Sequence, residues 1–195
     1  RYVNYMLGLC QGDLGTSYKT RDPVGEEVWA RLPNTAMLAL TSTVVAILLA
    51  LPLGIIAAIK QNTLFDGISM FISLLGISMP VFWMGLLLIL FFSVKLGWFP
   101  VSGADQGIKS LVLPSIALGF MHMASIARTT RSSMLETIRQ DYIRTVRAKG
   151  LPEKEVITRH ALRNALIPTT TVIGLQIGGM LGGSVLTESV FAWPG

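Results

Sequence analysis

Few side chains in this sequence are equipped for acid–base, nucleophilic or ligand chemistry. His122 and His160 are its two histidines and Cys10 its one cysteine. That inventory excludes an internal disulfide and a cysteine metal cluster. No HExxH motif is present to hold zinc, no Cys/His pair shares an element, and no Ser sits in a GxSxG turn. Hydrolytic or metal-assisted catalysis therefore has no constellation to work with, and no catalytic or metal-binding residue is assigned. The phosphate-cradling Gly-x4-Gly-Lys-Ser/Thr loop is missing too. If a process here is energised by ATP, a different polypeptide hydrolyses it.

What remains is a concentration of cationic groups. Between Arg128 and Arg163, nine basic residues (Arg128, Arg131, Arg139, Arg144, Arg147, Lys149, Lys154, Arg159, Arg163) face Glu136, Asp141, Glu153 and Glu155. This stretch carries the whole formal charge of +5, and elsewhere acids and bases balance. It is a poor site for nucleic acid, because Tyr142 is its one residue suited to stacking a base.

The elements that hold this stretch are apolar. Of 195 residues, 51% are hydrophobic and 14% charged, against about 25% charged in soluble domains. Four uncharged runs are each near the ~20 residues a helix needs to cross a bilayer. They predict an all-α polytopic transmembrane bundle with spans over about 34–59, 67–94, 110–130 and 164–188. Residues 1–33 precede the transmembrane domain 34–195 as an extracytoplasmic segment. Basic loops stay in the cytoplasm, which places the loop 131–163 inside and orients every span. Trp29, Trp98 and Trp193 then fall at outer span ends, where indoles favour the interface. The chain opens at Arg1 and stops at Gly195 with neither initiator methionine nor polar tail, as expected of an internal piece of a longer protein.

Within the spans, Asn34 is expected to cap the first helix and Pro52 to kink it. Ser78 and Pro80, in Gly76-Ile77-Ser78-Met79-Pro80, put a helix break in the second span, either as a packing kink or as part of a pathway. Gln176 lies among glycines four apart at 174, 178 and 182, as a pore-lining group or an interhelical hydrogen-bonding one. His122 is the one ionisable group within the uncharged runs 32–59, 67–94, 110–127 and 164–187. A neutral histidine bonded to a neighbouring helix is favoured over the proton relay of an ion-coupled carrier.

The basic loop itself predicts two helices about a turn. Met134, Ile138, Tyr142 and Val146 recur every four residues on a helix extending the third span to Gly150. Gly150 suits a left-handed cap, and Pro152, Glu153 and Glu155 suit the start of a second helix running to about Arg163. The apolar stripe and placed turn fit docking into a partner groove, with attraction to anionic membrane lipid as the alternative.

Asp141-Tyr142-Ile143-Arg144-Thr145-Val146-Arg147-Ala148-Lys149-Gly150-Leu151, followed by Arg159-His160-Ala161-Leu162-Arg163-Asn164-Ala165-Leu166-Ile167-Pro168, resembles the loop of bacterial binding-protein-dependent importer permeases. The match is to the dipeptide/oligopeptide branch, with its nickel and glutathione relatives. Gly150 and Leu162 match the general E-A-A-x3-G-x9-I-x-L-P form, with Arg144-Thr145-Val146 in place of E-A-A. Arg31-Leu32-Pro33-Asn34-Thr35 and Glu188-Ser189-Val190-Phe191-Ala192-Trp193-Pro194-Gly195 extend the resemblance along the chain.

The resemblance implies the MetI-like fold of type I importers, with four spans present of six, in a bacterial inner membrane. It implies a second permease subunit, two ATPase subunits that carry ATP and Mg, and an extracytoplasmic substrate-binding protein. No cofactor is expected on this chain. Arg144, Ala148, Lys149, Gly150, Leu151 and Glu153 are implied as the ATPase-coupling residues, and di- or oligopeptides, nickel or glutathione as cargo.

Overall fold

The computed structural model describes Met6, residues 9–18 and residues 20–195. Among them no strand forms beyond an isolated bridge between Thr16 and Pro23. Helix α1 (Val24–Ile59) is followed by α2 (Leu64–Ser78) and α3 (Val81–Leu88), which continues as a π-helical segment, Ile89–Lys95. Helix α4 (Ile108–Ile138) leads into the short α5 (Asp141–Ala148). Helix α6 begins with the turn Glu153–Glu155, passes through a π-helical segment, Val156–Ala161, and continues as Leu162–Gly183. The last helix, α7, is Val185–Phe191.

Three helices, α1, α4 and α6, are long and apolar enough to span a membrane, and the bent pair α2–α3 counts as a fourth when its two halves are taken as one span. Leucines such as Leu48 (67% exposed) and Leu175 (72% exposed) stand on their outer surfaces. Water would penalise such faces; hydrocarbon does not.

Small residues build the closest contact, between α1 and α4. Helix α1 buries Ala39, Thr43, Ala46, Ala50, Gly54, Ala57 and Ala58 along one face, and α4 presents Ala117, Gly119, Ala124, Ala127 and Thr130. A Cβ on Gly54 would lie 2.7 Å from the Ala127 carbonyl oxygen, and one on Gly119 would lie 2.7 Å from the Ser42 carbonyl oxygen. The two backbones thus approach as closely as missing side chains permit, the usual way membrane helices gain van der Waals contact. The glycines of α6 behave differently: Gly174, Gly178, Gly179 and Gly182 would each meet no atom within 4 Å. The glycine-to-backbone contact seen between α1 and α4 has no counterpart on this glycine face of α6.

Several boundaries depart from expectation. Helix α1 starts at Val24 rather than at Asn34 and runs through Pro33 and Pro52, with Glu26 and Glu27 in its first turn. Asn34 is therefore not a cap; its side-chain amide donates to the Pro194 carbonyl at 2.8 Å. The second span is not a kinked rod, since α2 and α3 meet at 104°. Residues 164–188 are not one helix either. Helix α6 ends at Gly183 and the chain turns at Ser184.

Candidate functional site: the basic loop and the polar contacts that brace it

The loop leaves α4 by a turn that the four-residue apolar spacing does not anticipate. Helix α4 ends at Ile138, Gln140 is extended (φ −67°, ψ 148°), and α5 starts anew at Asp141. The turn rotates α5, so Ile143 is buried and Tyr142 is 39% exposed. The Tyr142 hydroxyl instead accepts from the Asn164 amide at 2.7 Å and donates to the His160 carbonyl. Ile143, Val156, Ile157 and Ala161 pack with Met134 of α4, Ala58 of α1 and Ala165 of α6. The loop is therefore seated on three spans by a continuous apolar base.

Gly150 closes α5 with φ 80°, and its N–H donates to the Arg147 carbonyl at 2.9 Å. Arg144, Ala148, Lys149, Gly150 and Glu153 are exposed around this turn, while Leu151 is half-buried. Arg147 bridges the turn, its Nη2 2.6 Å and its Nε 3.0 Å from the Glu153 carboxylate oxygens. The second loop helix does not end near Arg163. It runs straight into α6, so turn and span share one rod.

The Arg147 guanidinium holds the Glu153 carboxyl below the usual carboxylate range. A group depressed in the folded state contributes its stability above its unfolded value and loses it as pH falls through its folded value. Hydrogen-exchange protection of residues 147–153 is expected to be level near neutrality and to fall as pH drops below the ordinary carboxylate range. Glu153→Gln should abolish that acid dependence. The Glu153 side chain is 60% exposed, so the effect should be only about 0.5 kcal/mol.

The other sequence-derived candidates lie away from the loop. Ser78 is the last residue of α2, and Pro80 precedes α3 and accepts from the N–H groups of Trp83 (3.0 Å) and Met84 (3.1 Å). Ser78 and Pro80 line a hollow with Met79, Phe82 and Trp83. Gln176 bonds across helices, its amide oxygen 2.5 Å from Nδ1 of His122. Each thus satisfies the other on the seam between α4 and α6. That is the bond to a neighbouring helix expected of this histidine.

Two polar clusters were not foreseen. Asp66, 6% exposed, receives Nε and Nη2 of Arg131 at 2.8 and 2.7 Å and the Asn62 N–H at 3.0 Å. At the opposite end Glu188, 9% exposed, accepts from the hydroxyls of Thr35 (2.7 Å) and Ser184 (2.9 Å). The Trp193 indole donates to the Asn34 carbonyl at 3.1 Å, and Arg31 donates to the Gly195 carbonyl at 3.2 Å. Trp193 is accordingly 8% exposed and packed, whereas Trp29 and Trp98 are open. The signal available for the second cluster was the pair of motifs 31–35 and 188–195, which the fold brings face to face. Asp66 and Arg131, 65 positions apart, offered no local spacing to read.

The chain is 47% identical to the dipeptide transport system permease protein of Alkalihalophilus pseudofirmus, covering all of this chain and 67% of that protein. It is 46% identical to the di/tripeptide transport system permease protein of Pseudomonas aeruginosa, covering 66% of it. Identity is also 46% with a glutathione transport system permease protein of Escherichia coli, of which it covers 63%. It thus spans about two thirds of the length of these relatives, each matched from end to end of this chain. Residues 50–195 match the profile of the binding-protein-dependent transport system inner membrane component, a stretch holding the rest of α1, the bent span, α4, the whole basic loop and α6. A helical membrane bundle with this loop, matched over that stretch and by relatives across its whole length, belongs to the family of binding-protein-dependent transport system inner membrane components.

Proposed function

We propose that the chain is part of the permease subunit of an ATP-driven importer of di- or oligopeptides, coupled to a separate ATPase through the loop around Gly150. The observation that supports this most is the mechanical continuity of that loop. The exposed turn at Arg144, Ala148, Lys149, Gly150 and Glu153 sits on an apolar base shared by three spans, and its second helix is the start of α6. A push on the turn is therefore delivered to the membrane rather than absorbed by a slack linker. On this reading the basic end faces the cytoplasm, where two ATPase subunits carrying ATP and Mg grip the turn. A binding protein delivers cargo at the opposite end. The open glycine face of α6 offers close approach to a second permease subunit.

Peptide cargo is supported by the dipeptide and di/tripeptide relatives. Glutathione, itself a tripeptide, is the second reading, supported by a relative of nearly equal identity. The test is uptake by the full-length permease reconstituted with its complete complex. Dipeptide import should require ATP, ignore a proton gradient and survive His122→Ala. Import without ATP that follows a proton gradient and is lost in His122→Ala would overturn the proposal in favour of an ion-coupled carrier.

A further inference from the structure

Asp66 and Arg131 form a charge pair that the coupling reading does not use. The pair lies where α2 begins and α4 nears its basic end. Two parallel N–H donors from one guanidinium, with a third from the Asn62 backbone, satisfy a carboxylate that is 6% exposed. Bidentate pairing fixes orientation as well as distance. A carboxylate so buried keeps its charge at a cost, repaid only while that geometry holds. Nearby, Arg139, at the end of α4, donates to Gln61 of the α1–α2 link at 3.2 Å, a second tie beside the first.

The other end of α2 is held by a different device. Gly76 is buried, and a Cβ there would collide with the Phe120 carbonyl of α4. Helix α2 is thus fastened to α4 at Asp66 and again at Gly76, two residues before it ends. Beyond the break α7 joins α4 as a partner: Val81, Met84 and Leu88 of α3 pack against the cluster formed by Leu113 and Ala117 of α4 and Phe191 of α7. Gly85 of α3 admits the Phe191 ring of α7, 3.0 Å from where a Cβ would stand. Helices α2 and α4 are thus held together both at the end that carries the loop and beside the break. Helix α3 rests on α4 and α7 together, and the 104° bend at Met79–Pro80 lies between it and α2.

We propose that Asp66 and Arg131 are positioning residues that make α2 follow α4, so that displacement of the loop carries α2 with it as far as the bend at Met79–Pro80 and is not lost as slippage between helices. The proposal rests on the coupling role given to the loop, and its test separates the two. In the full-length, fully assembled complex with Cys10 replaced by Ser, Arg131→Lys keeps the charge but loses the planar fork. It is expected to lower peptide imported per ATP hydrolysed about tenfold, the loss of one charge-assisted bond, with assembly and ATP hydrolysis retained. An unchanged ratio, or a parallel fall of both activities, overturns the proposal. Asp66→Arg should be worse, and adding Arg131→Asp should recover part of the ratio; no recovery also counts against it.

Spin labels at Leu74→Cys on α2 and Ser132→Cys on α4 provide a readout independent of transport. The native pair should give one narrow distance and Arg131→Lys a broad one. An equally narrow distance in the variant defeats the clamp even if import is ATP-driven. If the native complex imports nothing on ATP, the functional reading fails while the distance measurement still decides the clamp.

Discussion

Gly54→Leu is expected to prevent the bundle from assembling, whereas Gly178→Leu leaves this chain's own fold intact. At Gly54 a Cβ would lie 2.7 Å from the Ala127 carbonyl oxygen and 2.7 Å from Thr130 Cβ. One of these two obstacles is backbone, which cannot swing aside as a flexible side chain does. Overpacking a tight core costs about 1–3 kcal/mol per intrusion, and a leucine adds four carbons to a seam where one does not fit. Separating α1 from α4 also strips contact from Ala46, Ala50 and Ala127, all fully buried, and van der Waals contact is what holds membrane helices together. At Gly178 nothing lies within 4 Å. The measurement is thermal unfolding of the two variants purified in detergent. A Gly54→Leu protein with native Tm would refute the reading of α1 and α4 as the central close contact. Loss of stability in isolated Gly178→Leu would show that the glycine face of α6 packs within the chain after all.

The contrast between those glycines shows what the sequence could convey. Apolar run length is a property of consecutive residues, so the number of membrane elements and the location of the basic loop were legible. Which glycine stripe meets a backbone depends on how helices face one another, and the α6 pattern drew attention while the small residues Ala39, Thr43, Ala46, Ala50 and Gly54 held the actual seam. Spacing located a break near Pro80, because proline lacks the donor an unbroken helix needs, yet nothing local sets its angle at 104°. In the loop, a period of four ran through Met134, Ile138, Tyr142 and Val146 and concealed the turn at Gln140, where one extended residue shifts burial from Tyr142 to Ile143. The Asp66–Arg131 and Thr35–Glu188 contacts join residues 65 and 153 positions apart. Only the assembled bundle brings them within reach.

The candidate coupling turn yields the second large effect, because it can be damaged without touching the fold. Gly150 has φ 80°, is exposed, and would meet no atom within 4 Å if it carried a Cβ. Any loss on substitution must therefore come from backbone strain and not from a clash. The left-handed region costs an ordinary L-residue about 1–2 kcal/mol, least for asparagine and most for β-branched side chains. Since about 1.4 kcal/mol is a tenfold change in a population, Gly150→Ala is expected to lower peptide imported per ATP several-fold and Gly150→Val at least tenfold, with Gly150→Asn near the native value. The strain would open the turn that Arg147 and Glu153 clamp across their 2.6 Å contact, moving α5 away from the start of α6. Tm should change little across the series, because Ile143, Val156 and Ile157 remain buried in the base below. Peptide imported per ATP by the reconstituted complex, ranked Asn above Ala above Val at constant Tm, is the expected result. An equal ratio in all three would mean that the turn's conformation is not what the ATPase reads, and the coupling element would have to be sought elsewhere on the basic end.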